Sequence, residues 1–175
     1  AVATLNFYVV IAWLPVMLAE RTGATPEAAG AFLSLYTVVG IFTGLFIPGL
    51  VARLGNLGTL FTVNSVLMLA GYAGLMWMPG TATWLWVILA GTAPSLFSIV
   101  LVAVNYRTAT QHGAVVLSGM ATAGGYFLGA AGPLVVGFWR AQGLDWSVVL
   151  WMLMASTLVT IGFSFGLRRR VNVDE

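Results

Sequence analysis

Residues 54–106 read LGNLGTLFTVNSVLMLAGYAGLMWMPGTATWLWVILAGTAPSLFSIVLVAVNY, without a single charged side chain. A membrane helix needs about 20 apolar residues to cross ~30 Å of hydrocarbon, so this run is too long for one crossing. The Pro79-Gly80-Thr81 turn divides it into two spans, about 57–78 and about 84–106. Composition agrees over the whole chain: 60% hydrophobic residues against 7% charged ones, with a mean hydropathy of +0.99. A soluble domain is usually about a quarter charged, because its surface must be wetted. The solvent of this chain is lipid, and its formal charge of +2 gives no reason to expect a nucleic-acid partner. Cysteine is absent, which excludes disulfides and thiolate metal sites.

The remaining charges mark the other spans. The first covers about 1–19 and stops at Glu20-Arg21. The second covers about 27–52, after Thr25-Pro26-Glu27, where Thr caps and Pro takes the first turn. The fifth covers about 114–139 after a polar loop from Arg107 to His112, and the sixth about 146–167, ending on Arg168-Arg169-Arg170. A barrel would show short alternating segments instead of long solid runs. The expected fold is an all-α membrane protein of six transmembrane helices, one bundle over 1–175 with 168–175 as a tail. Residue 1 lies inside an apolar span with no basic leader and no initiator Met, so the chain is expected to be a segment of something longer, without a cleavable signal.

Orientation follows from arginine. With the carboxy terminus in the cytoplasm, Arg53, Arg107 and Arg168–Arg170 lie inside and only Arg21 and Arg140 outside, each with an acidic neighbour, Glu20 and Asp145. Both termini are then cytoplasmic. Trp77, Trp84, Trp86, Trp139 and Trp146 fall near the opposite ends, with Trp13 and Trp151 slightly deeper, as an aromatic belt would.

The second and fifth spans share a spacing: Gly40-x-x-x-Gly44-x-x-x-Pro48 and Gly125-x-x-x-Gly129-x-x-x-Pro133. They cross in opposite directions, so the match relates two inverted three-helix units. The first and fourth spans add a weaker echo, each broken near a proline, Pro15 and Pro94. Inverted repeats with Pro- or Gly-interrupted helices point to transporter folds. The glycines have two readings: close packing within the bundle, or small faces on which a second bundle slides.

Specific stretches extend this. Gly49, Arg53 and Gly55, in the loop between the second and third spans, resemble the signature loop of the major facilitator superfamily, with Ala52 in place of its acidic residue. Phe7-Tyr8, Ala12-Trp13-Leu14-Pro15, Ala29 to Leu35, Val39-Gly40-Ile41, Leu117 to Ala121, Gly125-Tyr126 and Gly132-Pro133-Leu134 together look like the carboxy-terminal six helices of the cyanate and nitroimidazole transporter family of major facilitators. The resemblance implies half of a twelve-helix major facilitator fold in a bacterial inner membrane, with the first, second, fourth and fifth spans facing a central cavity and the third and sixth outside.

Apart from Glu27 at the very start of the second span, no Asp, Glu or Lys falls within a span and every Arg sits at an end, so either a proton-coupling carboxylate lies in the missing half or the protein is a facilitator. The candidate pathway is neutral. In the fourth span Thr92, Ser95, Ser98 and Asn105 fall within about 140° of one another at 100° per residue, beside Pro94. They line a wet cavity, or they bond back to their own helix. In the first span Asn6 and Tyr8 point to nearly opposite faces, and Tyr8 shares its face with Thr4 and Pro15. Tyr36, Thr122 and Tyr126 complete the set. Asn64, Thr157, Thr160 and Ser164 are expected to be packing contacts. One His without acidic neighbours is no metal site, and no cofactor is expected.

Three classes follow. The first is the carboxy-terminal half of an alternating-access carrier for a small solute, such as a cyanate-like anion or a nitroimidazole, partnered by a missing amino-terminal half. The second is a self-contained six-helix homodimeric carrier or membrane scaffold. A membrane-embedded enzyme is the third, and it lacks any acid–base or metal constellation.

Overall fold

A computed structural model describes residues 1–54, 56–107 and 111–167; Gly55 of the loop motif and the tail 168–175 lie outside the described residues. Seven helices follow in order: α1 (Val2–Thr22), α2 (Pro26–Leu54), α3 (Leu57–Trp77), α4 (Thr83–Ala90), α5 (Ala93–Arg107), α6 (Gln111–Ala141) and α7 (Trp146–Leu167). Among the described residues there is no strand. α4 and α5 together make the fourth span, so the seven helices form six crossings, and five of the spans are long and apolar enough to cross a membrane within the described residues alone.

Local chemistry sets the ends. Thr25 caps α2, its Oγ1 accepting from Ala28 N at 3.3 Å, with Pro26 in the first turn. Asn56 caps α3 by accepting from Thr59 N at 3.1 Å. α1 runs past the expected stop at Glu20-Arg21 to Gly23, whose φ of 69° gives the left-handed cap a glycine tolerates. The two charges stay in the helix because neighbours satisfy them: Arg21 donates to Met76 O at 2.7 Å, and Glu20 accepts from Arg140 and from Trp146 Nε1. The expected pairing of charges along the sequence is therefore crossed. Glu20 meets Arg140, whose guanidinium lies 4.4 Å from the Trp146 ring centre, and Asp145 feels the charge of Arg21. Trp146, expected in the belt, is only 2% exposed, because this cluster ties together the ends of α1, α6 and α7; Trp77, Trp84 and Trp151 do lie on the surface. The expected loop through His112 is shorter than supposed, since α6 begins at Gln111.

Asp145 sits just before α7 and accepts from both the Ser147 hydroxyl and Ser147 N. These bonds, the hydroxyl first, hold its carboxyl below the usual value, and Arg21 adds to the effect. A depressed carboxylate stabilises the fold above its unfolded-state pKa and loses that contribution as pH falls through the folded-state value. Asp145→Ala is expected to cost about 1 kcal/mol as a lost cap, and the difference from wild type should fade below about pH 4, read by denaturant titration at stepped pH.

The most extensive pairings are α3 with α7 and α1 with α6, followed by α3 with α4 and then α2 with α5. Exchanging the first three spans for the last three carries the α1–α6 pair onto the α5–α2 pair and the α3–α7 pair onto itself. The likeness is partial: α3 receives α4 closely, through Gly71 and Gly74, while α7 has no such seat on α1.

The two expected breaks differ. The fourth span is broken at Gly91-Thr92, where Pro94 has no N–H to continue the ladder. α1 continues through Pro15 without interruption. Its flanks there, Leu14, Met17 and Leu18, are buried and hold the helix in place, whereas Gly91 and Thr92 offer a flexible link and a hydroxyl that competes for carbonyls. Pro48 and Pro133 likewise lie inside continuous helices.

Candidate functional site

The glycines decide which helices approach closely. A Cβ on Gly40 would lie 2.8 Å from Pro94 Cγ, and one on Gly44 would lie 3.5 Å from Ser98 Oγ. A Cβ on Gly129 would lie 2.8 Å from Tyr8 Cδ2, and one on Gly125 would lie 3.3 Å from Thr4 Oγ1. Both glycine faces are thus spent within the bundle, seating α5 on α2 and α1 on α6. The faces of α2 and α6 left outward carry large side chains instead: Phe42, Leu45, Phe46 and Met120, Phe127, Leu134 are all exposed. Of the two readings of the glycines, close packing within the bundle is the one these contacts support.

Close approach of α1, α5 and α6 leaves a cavity of about 150 Å³ lined by Ala3, Thr4, Phe7, Tyr8, Pro94, Phe97 and Tyr126. It lies near the middle of α6 and next to the break in the fourth span. Its rings form one connected group. Tyr8 and Tyr126 are 6.3 Å apart between centroids, Phe97 and Tyr126 6.2 Å, and Phe7 and Tyr8 5.8 Å. These are spacings at which tilted aromatic pairs attract. No charged group lines it among the described residues.

The candidates from the sequence are distributed unevenly around this cavity. Tyr8 and Tyr126 line it. Asn6 points away, buried, and its Nδ2 donates to Val2 O and to Ser156 Oγ of α7 at 2.9 Å. Tyr36 is 0% exposed and stacks on Phe7 at 6.3 Å, one layer behind the cavity wall. Thr122 lines a neighbouring cavity. Thr92 and Ser95 are buried, turned toward α3 at the floor of a recess of about 270 Å³ between α2 and α3. Ser98 faces Gly44 of α2. The side chain of Asn105 lies outside the described residues. In the loop motif, Gly49 and Arg53 are exposed.

One residue escaped the sequence reading as a site element. Phe97 was one apolar residue among many, and nothing in its spacing sets it apart. Asn64 is a packing contact, as expected, and a polar one that clamps the broken span: its Nδ2 donates to Thr92 O at 3.3 Å, and its Oδ1 accepts from Ser95 Oγ at 2.6 Å. Thr92 Oγ1 and Ser95 Oγ also bond back, to Leu89 O and Thr92 O. Thr92 and Ser95 thus follow the back-bonding alternative, with Asn64 added to the network. Interhelical polar bonds of this kind average about 0.6 kcal/mol and reach about 1.7. Asn64→Leu removes two, so a loss of about 1–2 kcal/mol is expected, read by unfolding the purified protein in mixed detergent.

The chain is 31% identical over 148 residues to the 2-nitroimidazole transporter of Escherichia coli (strain K12), covering 84% of this chain and 37% of that protein. It is 30% identical over 156 residues to the transporter YycB of Bacillus subtilis (strain 168), covering 87% and 38%. A Thauera aromatica protein named as an anionic 4-hydroxy-benzoate permease is 34% identical over 111 residues, covering 62% of this chain and 67% of that one. The chain spans about two fifths of the length of the first two. No family model and no solved structure matches it. These relatives are transporters and permeases, not enzymes, and with them this chain belongs to the family of small-solute membrane transporters that includes the 2-nitroimidazole transporter.

Proposed function

We propose that this chain is the carboxy-terminal six-helix half of an alternating-access carrier of the major facilitator type. It works in a bacterial inner membrane, with the Arg53 and Arg107 end in the cytoplasm, and moves a small solute along the Tyr8–Phe97–Tyr126 cavity. The observation that carries this reading is the cavity itself: uncharged, ring-lined, near mid-helix, and beside a broken span. Carriers of this architecture place their sites near the bilayer midplane at interrupted helices. Two relatives are named for planar aromatic solutes, 2-nitroimidazole and 4-hydroxy-benzoate, and flat rings suit aromatic walls. The outward apolar faces of α2 and α6 would meet the amino-terminal half. For an anion such as cyanate, a countercharge must come from that half, because the arginines here sit at helix ends.

The intact protein in liposomes should accumulate labelled 2-nitroimidazole or 4-hydroxy-benzoate by counterflow, above empty liposomes. Equal signals in the two would overturn the carrier reading. The same apolar faces suit a second copy of this chain, which is the homodimer reading. Mass measurement of the solubilised protein separates the two, since a single chain with twelve spans excludes the dimer of six.

A further inference from the structure

The recess of about 270 Å³ between α2 and α3 has walls from Phe42, Phe46 and Leu50 on one side and Leu60 and Val63 on the other. α2 and α3 pack on each other only sparsely, although α3 packs broadly on α4 and α2 on α5. The polar groups at the floor are already bonded, Asn64 and Ser95 to each other and Thr92 to Leu89 O, and the Thr43 hydroxyl bonds back to Val39 O. What the recess offers an occupant is therefore apolar surface.

Two stripes frame it. On α2, Phe42, Phe46, Leu50 and Arg53 recur every three or four residues, which keeps them on one face. On α3, Leu60, Val63 and Leu67 do the same. The Phe42 and Phe46 rings lie 6.5 Å apart and 11° from parallel, forming one flat wall. The α2 stripe ends on Arg53, in the last turn of the helix, with its side chain exposed. Among the described residues the ion pair is that of Glu20 with Arg140, at the other end of the bundle, so Arg53 brings an unneutralised charge to the end of the groove. From Phe42 to Arg53 the stripe runs roughly 16 Å at 1.5 Å per residue. Half of the ~30 Å hydrocarbon core is about 15 Å. The stripe thus has the length of one leaflet, from midplane to headgroup.

We propose that this recess holds one acyl chain of an anionic phospholipid, its phosphate at Arg53 and its chain lying along Phe46 and Phe42 toward the midplane. Acyl chains are as apolar as Leu, so apolar walls alone gain nothing over bulk lipid. Selectivity comes from the headgroup charge, which a basic residue beside a groove between membrane helices recognises. The groove fixes where the chain lies. An amino-terminal half seated on the other flank of α2 leaves this side open, because Ile41 and Leu45, both exposed, lie roughly 100° or more round the helix from Phe46. Which leaflet supplies the lipid rests on the orientation proposed above; the site itself does not.

The test reconstitutes the intact protein in phosphatidylcholine vesicles that carry a trace of phosphatidylglycerol with a photoreactive diazirine in its acyl chain. A parallel sample carries the phosphatidylcholine analogue. After illumination, peptide mapping should find residues 42–50 and 60–67 labelled about fivefold more by the anionic probe, the preference that one cation near the surface supplies. Arg53→Gln should bring the two probes to equal yield, and Arg53→Lys should keep the preference within about twofold. Arg53 is exposed, so these variants leave the packing intact. Val63→Trp, which fills the recess, should lower both probes there and leave labelling around the exposed Val159 of α7 unchanged. Equal labelling of the recess by both probes in the wild type means ordinary boundary lipid and overturns the proposal. So does labelling at α7 with none in the recess, which means that the rest of the carrier or a second copy covers it. An unchanged preference in Arg53→Gln overturns the phosphate contact. No solute enters this experiment. Normal flux without a lipid preference sinks the lipid site alone, and absent flux with the expected labelling sinks the carrier reading alone.

Discussion

Gly71→Leu should leave almost no folded, monodisperse protein after extraction. A Cβ at this position would lie 2.4 Å from Ala90 N, 2.8 Å from Trp86 O and 3.0 Å from Ala90 Cα. All three are backbone atoms, so no rotamer change relieves the clash. The helices themselves would have to part, along the broadest contact that α4 makes. Overpacking a core commonly costs about 1–3 kcal/mol when side chains can shift; against backbone the cost belongs at or above the top of that range. Parting α3 from α4 would also draw Asn64 away from the break in the fourth span. Gly30→Leu is the matching control, because nothing lies within 4 Å of a Cβ there. Size-exclusion profiles and thermal aggregation of the two variants should differ clearly. Equal yields would mean that α3 and α4 are not seated as described.

Tyr126→Ala should have the largest effect on transport. Its ring contacts both Tyr8 and Phe97, so its loss opens one wall of the cavity and removes the surface on which a flat solute would stack. Aromatic contacts of this kind contribute about 0.5–1.5 kcal/mol beyond buried area, and ~1.4 kcal/mol is a tenfold change in affinity. The concentration for half-maximal counterflow should therefore rise about tenfold in Tyr126→Ala. Tyr126→Phe keeps the ring and should stay within about threefold of wild type, unless the hydroxyl bonds the solute. Because Tyr8 touches Tyr126, the double variant Tyr8→Ala, Tyr126→Ala should lose less than the sum of the two singles. Unchanged half-saturation in Tyr126→Ala would remove this cavity from the pathway.

The differences between sequence and structure have a common origin. Helix ends were legible wherever a cap is local: Thr25-Pro26 and the Pro79-Gly80 turn carry their conformation in the residues themselves. Glu20 and Arg21 misled because helix membership at a charged pair depends on what else is near, here Arg140, Trp146 and Met76 O. The glycines of α2 and α6 were visible as a pattern, but a glycine's spacing does not say which helix fills it. Gly71 and Gly74, which make the closest approaches among the described glycines, were not singled out, since their partners Trp86 and Ala90 lie across a turn and belong to another helix.

The candidate site shows the same division. Tyr8 was separable from Asn6 by helical phase alone, because 3.6 residues per turn sends them to opposite faces. Thr92 and Ser95 share a face, and the sequence could place them on a stripe. It could not say that the stripe meets Asn64 instead of the cavity, because that depends on how α5 is rotated against α3.

Composition, charge spacing and the Pro79-Gly80 turn by themselves determined that this is a membrane protein of about six spans, since lipid leaves a chain few alternatives to long apolar helices; proline alone did not tell the interrupted fourth span from the continuous first one. Only the tertiary structure decided which faces are spent inside the bundle, which rings gather into a cavity, and which asparagine holds the broken helix. In a membrane nearly every residue is apolar, so hydrophobic pattern no longer separates inside from outside. Fit between particular surfaces does that work, and fit belongs to pairs of helices.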